Sequence, residues 1–525
     1  MDRDSALVID TEAGRVAGAW AEGSGGIGAG VRRVRSWKGI PYAAPPVGAL
    51  RWRAPAPAAP WAGLRAASGY GADFPQAPSP VLRAGRMSED CLYLNVWAPA
   101  DAAPGSLPVM VWVHGGGFVG GSGADARSEG HHLAARGVVV VSFNYRSGLF
   151  GWLAHPRLSD EAERLQGRRT SGNYGLLDQL AALAWVQRNV AAFGGDPKRV
   201  TAFGVSAGSA SIALMLTVPA AAGLFHRAIL HSPGCGRPLA TLAQAEDAAR
   251  RELGDDLEAL RALDAGRVLA AMPRLNPAVR GLTTPRLLRP IHDGVLVAED
   301  ERAAWRAGRL RRLPIVVGTN ADEGTLLTRT WPVADAAAAR ALIEANFPRA
   351  AAEALAWYGP ADDDGARAAV AAAFADTQFN DGARLLMRAM SRQEPRCHGY
   401  RFTRRRPGRE HDPEGGPHHG DEVAYVFGQL AAGRSGEPEP HDARDEAVAD
   451  AMASAWVAFA SGADLAAGVG RVPPWAPYAA GEQWLEFGDT FRMVANPHDA
   501  RLDFLDAYLD GAGPVQPAPP GANDA

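Results

Sequence analysis

The chain has 525 residues, 47% of them hydrophobic, and a net charge of −4 from 54 basic and 58 acidic side chains. This hydrophobic fraction can build a large core, which excludes a disordered or fibrous protein. The balance of charges argues against nucleic acid as a partner, because no basic excess is available to neutralise phosphates.

Location is predicted from the first residues and from the cysteines. Residues 2–5 (Asp-Arg-Asp-Ser) are polar or charged and lead into no apolar signal stretch. No run of 18 or more apolar residues predicts a membrane span. The cysteines Cys91, Cys235 and Cys397 cannot form a disulfide framework. We therefore expect a cytoplasmic protein with no membrane partner. The sequence does not determine its oligomeric state, and a monomer is compatible with it.

Short apolar runs, each ending in glycine or a polar turn, recur along the chain. Their apolarity is continuous rather than alternating, which is typical of parallel strands covered on both faces. Residues 178–189 have helical spacing and supply part of the covering. The pattern predicts an α/β fold with a large, mostly parallel central sheet flanked by helices. The predicted strands are residues 107–113, 138–143, 199–203, 227–230 and 314–317.

Two Ala-rich stretches, residues 239–280 and 336–375, are predicted to be helical insertions over the functional site. Residues 1–510 contain no stretch that looks like a linker, so we predict one domain there. The Pro/Gly/Ala-rich residues 511–525 cannot bury apolar area and predict a disordered tail.

The most informative motif is Gly-Val-Ser-Ala-Gly at residues 204–208, between a strand pattern and a helix pattern. A Gly-x-Ser-x-Gly at such a junction predicts a nucleophile elbow, a cramped turn that presents the hydroxyl of Ser206 above the sheet. The motif alone is common by chance. The strand-turn-helix context of the motif, together with a candidate acid, base and oxyanion donors elsewhere in the chain, makes the prediction specific.

A serine hydroxyl needs a base, and the base needs an orienting acid. In this type of site the acid and then the histidine follow the serine along the chain. Candidate acids lie after a predicted strand in residues 318–324 (Gly-Thr-Asn-Ala-Asp-Glu-Gly), and candidate bases are His418 and His419. Asp293 is interpreted as a turn residue.

An oxyanion also needs donors. The run His-Gly-Gly-Gly-Phe at residues 114–118 follows a predicted strand, and its glycines let backbone N–H groups approach a substrate closely. Ala207, directly after the nucleophile, offers another N–H at the start of a helix.

At this point the sequence resembles the type-B carboxylesterases, the cholinesterase-like branch of the α/β-hydrolases, in its bacterial form. The resemblance covers most of the chain and is densest between residues 38 and 234. It is carried by the motifs at residues 39–52 (Gly-Ile-Pro-Tyr-Ala to Leu-Arg-Trp), 88–96 (Ser-Glu-Asp-Cys-Leu-Tyr-Leu-Asn-Val), 144–146 (Asn-Tyr-Arg), 172–179 (Gly-Asn-Tyr-Gly-Leu-Leu-Asp-Gln) and 193–197 (Phe-Gly-Gly-Asp-Pro).

The resemblance implies an α/β-hydrolase fold and a serine carboxylesterase that needs no cofactor and no metal. It implies Ser206 as nucleophile, Glu323 as acid and His419 as base, because Gly420, Asp421 and Glu422 fit the family's pattern after His419. It assigns the oxyanion donors to Gly116, Gly117 and Ala207, and a supporting role near the triad to Ser232. Two structural ion pairs are also implied, Arg51 with Glu89 and Arg146 with Asp178.

Departures from the family pattern indicate the substrate. Phe74 stands where a family cysteine would lie, so Cys91 keeps no obvious disulfide partner, in agreement with a reducing compartment. The loop there has no Trp, Val205 precedes the nucleophile, and residues 325–327 (Thr-Leu-Leu) carry no aromatic. Because the parts that would hold a quaternary ammonium are missing, we expect small to medium, uncharged, moderately apolar esters, with water as the second substrate.

The sequence leaves one alternative function open and disfavours two others. The same triad could hydrolyse a carbamate or an amide, and nothing in the sequence decides between these and an ester. A non-catalytic scaffold of the same fold is disfavoured because all three triad residues are present. A metal site in the cluster His411, Asp412, His418 and His419 lacks metal-ligand spacing.

Overall fold

The computed structural model describes residues 5–279, 281–409, 415–496 and 498–511. These residues contain fourteen strands, which form one sheet of eleven strands and one of three. In chain order the strands are β1 (Val8–Thr11), β2 (Gly14–Ala17), β3 (Ala19–Ser24), β4 (Val31–Pro41), β5 (Leu64–Ala66), β6 (Tyr93–Pro99), β7 (Leu107–Val113), β8 (Val139–Phe143), β9 (Gly195–Val205), β10 (Arg227–His231), β11 (Ile315–Asn320), β12 (Cys397–Phe402), β13 (Gln483–Phe487) and β14 (Phe491–Ala495).

The large sheet has the order β14-β13-β12-β11-β10-β9-β7-β8-β6-β4-β3, and β1, β2 and β5 form the small one. Strands β8, β7, β9, β10, β11, β12 and β13 are parallel to their neighbours in this series. The outer pairs at both edges are antiparallel. The carboxyl ends of the parallel strands therefore meet along one edge, where ligand sites form in such sheets.

Helices cover both faces of the sheet. They are α1 (His131–Ala134), α2 (Gly148–Trp152), α3 (Pro156–Gln166), α4 (Tyr174–Asn189), α5 (Ala207–Met215), α6 (Leu242–Leu253), α7 (Leu257–Ala262), α8 (Ala265–Ala271), α9 (Glu301–Arg306), α10 (Thr325–Thr328), α11 (Ala336–Asn346), α12 (Ala351–Tyr358), α13 (Ala366–Ala375), α14 (Asp381–Ser391), α15 (Glu422–Val426), α16 (Ala443–Ser461) and α17 (Asp499–Asp510).

Strand β7 shows why its sequence is apolar without alternation. Val109 and Val111 belong to a hydrophobic core that includes residues of α4 and α5, on one face of the sheet. Met110 and Trp112 belong to a second core on the other face, together with residues of α16. Both faces of the strand are buried, so each of its positions requires an apolar side chain. The α/β architecture with a mostly parallel sheet is confirmed.

Both stretches predicted as insertions are helical. The first contains α6, α7 and α8, and the second contains α11, α12 and α13. Arg51 joins the first to the body of the fold, because its guanidinium donates to Leu263 O at 2.7 Å and to Glu89 Oε2 at 2.7 Å. Of the predicted tail, residues 512–525 lie outside the described residues.

The two implied ion pairs are present. Arg146 and Asp178 form a fully buried pair with two bonds of 2.7 Å, and Arg51 pairs with Glu89 as described. All three cysteines are buried free thiols. Within the described residues, no helix combines the length and the apolar character that crossing a membrane requires.

Candidate active site

Ser206 lies in the sharp turn between β9 and α5, at the carboxyl edge of the sheet. Its φ of 57° and ψ of −118° are a strained conformation for a residue with a side chain. Ser206 N donates to His231 O at 2.9 Å, which ties the turn to the neighbouring strand. A Cβ at Gly208 would overlap the carbonyl oxygen of Val113 in β7, so the motif requires glycine there.

The acid and the base come from two other loops at the same edge. Glu323 follows β11, and His419 precedes α15. His419 Nδ1 donates to Glu323 Oε2 at 2.5 Å, although 96 residues separate them along the chain. Glu323 Oε1 accepts two further bonds, from Ser232 Oγ at 2.5 Å and from Asn320 N at 2.6 Å. The carboxylate is 1% exposed and is held rigidly against the imidazole.

The other imidazole nitrogen of His419, Nε2, is not bound to Glu323. His419 Nε2 is buried and has no hydrogen-bond partner among the described residues. Ser206 and His419 line the same cavity, but no hydrogen bond joins them in the part of the chain that the structure describes. Such bonds are often long or poorly aligned before substrate binds and tighten in the complex. Nε2 is therefore available to accept a proton.

The glycine run after β7 forms the opposite wall of the site. Gly116 has a φ of 121° and Gly117 a φ of 62°, a region that favours glycine. A Cβ at Gly115 would lie 3.1 Å from Ser206 Cβ, so this loop passes directly beside the nucleophile. Among the described residues, none of the N–H groups of Gly116, Gly117 and Ala207 donates a hydrogen bond to the protein. These three donors are free to bind an oxyanion.

A second buried carboxylate lies behind the imidazole and was given no role by the sequence. Glu422 Oε2 accepts from Asn320 Nδ2 at 2.5 Å, and His231 Nδ1 lies 3.3 Å from Glu422 Oε1. Burial raises the pKa of Glu422, but the interaction with His231 and the hydrogen bond from Asn320 outweigh this effect, and the pKa is lowered overall. Trp456 Nε1 donates to His231 Nε2 at 3.0 Å. This network braces the strand ends from which Asn320 and the loop of His419 extend.

The rival residues have other partners. His418 Nδ1 lies 3.6 Å from Asp421 and its Nε2 lies 3.8 Å from Asp322. Asp293 accepts backbone N–H bonds from three successive residues and so serves a turn, as expected. His411 and Asp412 lie outside the described residues. The described residues contain no group of three or more His, Cys, Asp or Glu that could hold a metal ion.

The cavity around Ser206 and His419 has a volume of about 390 Å³. Phe379 stacks on the His419 imidazole with ring centroids 4.3 Å apart, and Phe374 of α13 and Leu327 add to an apolar side. Thus the second helical insertion contributes to the cavity. Residues of the first insertion instead line a separate cavity with Trp52 and Leu149.

The chain resembles known proteins over most of its length. Residues 5–505 match the sequence model of the Carboxylesterase family. A fumonisin B1 esterase from Sphingopyxis macrogoltabida is 45% identical over 466 residues, which are 87% of this chain and 82% of that protein. A para-nitrobenzyl esterase from Bacillus subtilis (strain 168) is 41% identical over 330 residues, 61% of this chain and 63% of that protein.

Relatives of animal origin and solved structures show the same likeness. A cholinesterase from Mus musculus is 36% identical over 342 residues, 61% of this chain and 54% of that protein. The solved structure of a PNB esterase has a TM-score of 0.79 and 32% identity, and covers 95% of this chain and 99% of its own. A thermophilic PNB esterase has a TM-score of 0.80 with the same identity and coverage.

Proposed function

Because the chain belongs to the carboxylesterase family, we propose that Ser206, His419 and Glu323 are the triad with which it hydrolyses carboxylic esters. The chain has the α/β-hydrolase fold and is a carboxylesterase. The observation that supports the proposed triad most strongly is the hydrogen bonding of the His419 side chain. His419 donates from Nδ1 to a buried carboxylate and presents Nε2, without a partner among the described residues, to the cavity that holds Ser206.

The proposed reaction begins when His419 Nε2 takes the proton of Ser206 and the serine oxygen attacks the ester carbonyl carbon. The negative charge of Glu323 stabilises the imidazolium that results, and the bond to Nδ1 keeps the ring in the correct tautomer. The carbonyl oxygen becomes an oxyanion, which the N–H groups of Gly116, Gly117 and Ala207 bind. Each such donor contributes about 3 kcal/mol to stabilising the transition state.

Collapse of this intermediate expels the alcohol, which takes a proton from His419, and leaves an acyl-enzyme on Ser206. Water then enters, His419 takes its proton, and the hydroxide oxygen attacks the acyl carbon through a second oxyanion. The acid is released and Ser206 recovers its proton. The reactants are the ester and water alone, so we propose no cofactor and no metal.

The size of the substrate follows from the cavity. A volume of about 390 Å³ accommodates a small to medium ester, and its apolar side at Leu327, Phe374 and Phe379 supports a moderately apolar one. That the substrate is uncharged stays a prediction from the sequence. Carbamate or amide hydrolysis by the same triad remains the alternative, and matched ester, carbamate and anilide substrates decide between them.

Replacement of Ser206 by Ala tests the proposal directly. With p-nitrophenyl butyrate as substrate, we expect the activity to fall to a small residual value above that of uncatalysed hydrolysis. We also expect no labelling by a fluorophosphonate probe. Ser106→Ala, on the exposed surface, is the matched control and keeps both activity and labelling. Undiminished turnover by Ser206→Ala would exclude the proposed nucleophile, and an unlabelled wild type would favour a scaffold.

We also propose a cytoplasmic location with no nucleic-acid or membrane partner. The three cysteines are buried thiols, which suits a reducing compartment. Fractionation of cells that express the full chain tests this, because activity found outside the cytoplasmic fraction would contradict it.

A further inference from the structure

The glycine run that offers the oxyanion donors cannot fix its own conformation. Residues 115–123, called here the oxyanion loop, contain six glycines. Glycine loses more conformational freedom on folding than any other residue, so ordering such a run costs free energy. Its N–H groups stabilise an oxyanion only when they already point at the reaction site. Contacts from outside the run must therefore hold the loop in place.

The direction of each donor depends on the carbonyl group of the same peptide unit. A trans peptide is planar, and its N–H and C=O groups point in opposite directions. Gly116 O accepts from Val119 N at 3.0 Å and from Gly120 N at 2.9 Å. These two bonds fix the carbonyl of Gly116 and, through the planar unit, the N–H of Gly117.

The imidazole of His114 fixes the other donor of the loop. His114 Nδ1 lies 2.8 Å from Gly115 O, and because a carbonyl oxygen can only accept, Nδ1 carries the proton and donates. Burial lowers the pKa of His114 to about 4, so at neutral pH the imidazole is neutral and has this one N–H group. The bond holds the carbonyl of Gly115, and with it the N–H of Gly116.

The second half of the oxyanion loop lies in backbone contact with both of these peptide units. A Cβ at Gly121 would lie 2.1 Å from Gly115 O and 2.5 Å from His114 Nδ1. A Cβ at Gly116 would lie 2.0 Å from the oxygen of Gly120. A movement of residues 120 and 121 would therefore change the bonds that orient the two donors.

Gln76 binds Gly121 on both sides of its Cα. Gly121 N donates to Gln76 Oε1 at 2.8 Å, and Gln76 Nε2 donates to Gly121 O at 2.8 Å. The side chain of Gln76 is 5% exposed and lines the cavity that holds Ser206. Both ends of its amide group are bound to the loop backbone. Gln76 therefore acts on the loop rather than as a free group for the substrate.

The residues that follow Gly121 are anchored to the same part of the fold. Ser122 Oγ donates to Asp73 Oδ1, three residues before Gln76 in the chain. Asn144 Nδ2 donates to Asp73 Oδ1 at 3.3 Å, and Gly123 N donates to Asn144 Oδ1 at 2.8 Å. These buried bonds continue the support that Gln76 begins.

We propose that Gln76 is a positioning residue for catalysis, which holds Gly121 so that the N–H groups of Gly116 and Gly117 point at the oxyanion. This inference rests on the proposed function, because it concerns the donors of that reaction. Removal of one oxyanion donor lowers kcat by about 10²- to 10³-fold, and a displacement of about 1 Å in an active site costs up to about 10²-fold. Loss of the Gln76 bonds displaces the donors without removing them.

Gln76→Met tests the proposal, because methionine has a similar volume and forms neither bond. With p-nitrophenyl butyrate we expect kcat to fall by about 10- to 100-fold. KM should change by less than about 3-fold, since the oxyanion exists in the transition state and not in the bound ester. The matched control is Gln187→Met in α4, which should keep the wild-type kcat. Gln187 Nε2 also donates to a backbone oxygen, Leu224 O at 2.9 Å, but it lies outside this cavity.

Two ketones separate positioning of the donors from a general loss of structure. The oxygen of Ser206 adds to the carbonyl carbon of 1,1,1-trifluoro-2-hexanone, His419 takes the serine proton, and the carbonyl oxygen becomes an oxyanion. The parent compound 2-hexanone binds without this addition. We expect Gln76→Met to raise the inhibition constant of the trifluoro ketone by about the factor by which kcat falls, and to leave that of 2-hexanone within about 3-fold.

Gln76→Glu provides a second variant if Gln76→Met does not fold. A glutamate keeps an acceptor for Gly121 N but places a carboxylate oxygen, which cannot donate, against Gly121 O. It should therefore lower kcat and weaken the trifluoro ketone in the same way. Gln187→Glu, which brings a carboxylate to Leu224 O, should do neither.

An unchanged kcat in the folded Gln76 variants would overturn the positioning proposal and leave the proposed triad intact. Equal weakening of the two ketones would also overturn it, because the loss would then come from the shape of the cavity. A raised KM with an unchanged kcat would show that Gln76 contacts the substrate instead. By contrast, failure of the wild type to hydrolyse p-nitrophenyl butyrate, or undiminished hydrolysis by Ser206→Ala, would contradict the proposed function itself.

Discussion

Replacing Glu323 by Gln tests how the carboxylate acts on the imidazole. Glu323 Oε1 accepts from Asn320 N at 2.6 Å and from Ser232 Oγ at 2.5 Å, and Oε2 lies 2.5 Å from His419 Nδ1. A carboxamide has only one acceptor oxygen. Because the backbone N–H of Asn320 can only donate, that oxygen must occupy the Oε1 position. The amide NH₂ of the variant then faces His419 Nδ1.

This arrangement puts the imidazole proton on the wrong nitrogen. With an NH₂ donor against it, Nδ1 of His419 must accept, so the proton moves to Nε2, which then cannot take the proton of Ser206. In a serine protease the equivalent change of carboxylate to amide lowers kcat by about 10⁴-fold. We expect a loss of similar size here, which corresponds to about 5.5 kcal/mol of transition-state stabilisation.

The assay is steady-state hydrolysis of p-nitrophenyl butyrate by purified Glu323→Gln. KM should change little, because Glu323 is 1% exposed and does not reach the cavity. Raising the pH should not restore kcat, since the tautomer is fixed by a neutral amide. The matched control is Glu299→Gln, which removes a surface pair with Arg309 and should keep wild-type kcat. A Glu323→Gln enzyme that retains more than about a tenth of wild-type kcat would refute the tautomer argument.

Three further predictions concern stability. Gly208→Ala should destabilise the fold by at least about 3 kcal/mol in thermal unfolding, because the added methyl group meets backbone of β7, whereas Gly69→Ala, where the space is open, should be nearly neutral. Burial raises the pKa of Asp73 to about 6. The free energy of unfolding of the wild type therefore falls as the pH rises from about 4 to 6. Over that pH range the free energy of unfolding of Asp73→Asn, measured by urea unfolding, should increase by up to about 3 kcal/mol relative to that of the wild type. Arg146→Met should cost about 3 to 5 kcal/mol by leaving Asp178 charged and unpaired, and the double replacement Arg146→Met with Asp178→Leu should recover much of that loss.

Each of these predictions has an outcome that contradicts it. Equal melting temperatures for Gly208→Ala and Gly69→Ala would show that the elbow can accept a side chain. A stability difference between Asp73→Asn and wild type that is independent of pH would show that this carboxyl group does not titrate differently in the folded chain. If the double replacement at positions 146 and 178 is as unstable as Arg146→Met, the loss comes from packing rather than from an unpaired charge.

Much of the fold was predictable because a strand that is buried on both faces requires apolar residues at successive positions, and this pattern is visible in the sequence. The continuous apolarity of β7 predicted a parallel, covered strand with the bounds that the structure shows. The elbow at residues 204–208 was predictable for a similar reason, since only glycine permits the close approach of backbone there. These features depend on neighbours close in the sequence or on burial alone.

Local sequence pattern could not decide between His418 and His419 as the base. Both histidines stand in the same loop, and spacing from the nucleophile could not separate them. Only the resemblance to a family favoured His419. In the structure the loop turns so that His419 meets Glu323 while His418 lies among Asp322 and Asp421. Adjacent residues of a loop can point their side chains in different directions, and the conformation of the closed loop determines which of the two histidines contacts Glu323.

By itself, the sequence determined the layered α/β architecture, the strained serine and the glycine run, because backbone geometry and burial constrain residue type position by position. Only the tertiary structure decided what surrounds the serine. Arg237, Arg286 and Arg289 are unremarkable among many arginines until Gln378 and Phe118 bring them to one wall, and Glu422 has no role until it meets Asn320 and His231. Such contacts join segments that lie about a hundred residues or more apart in the chain. Sheet order and loop closure, which leave no local pattern in the sequence, determine which of these segments meet.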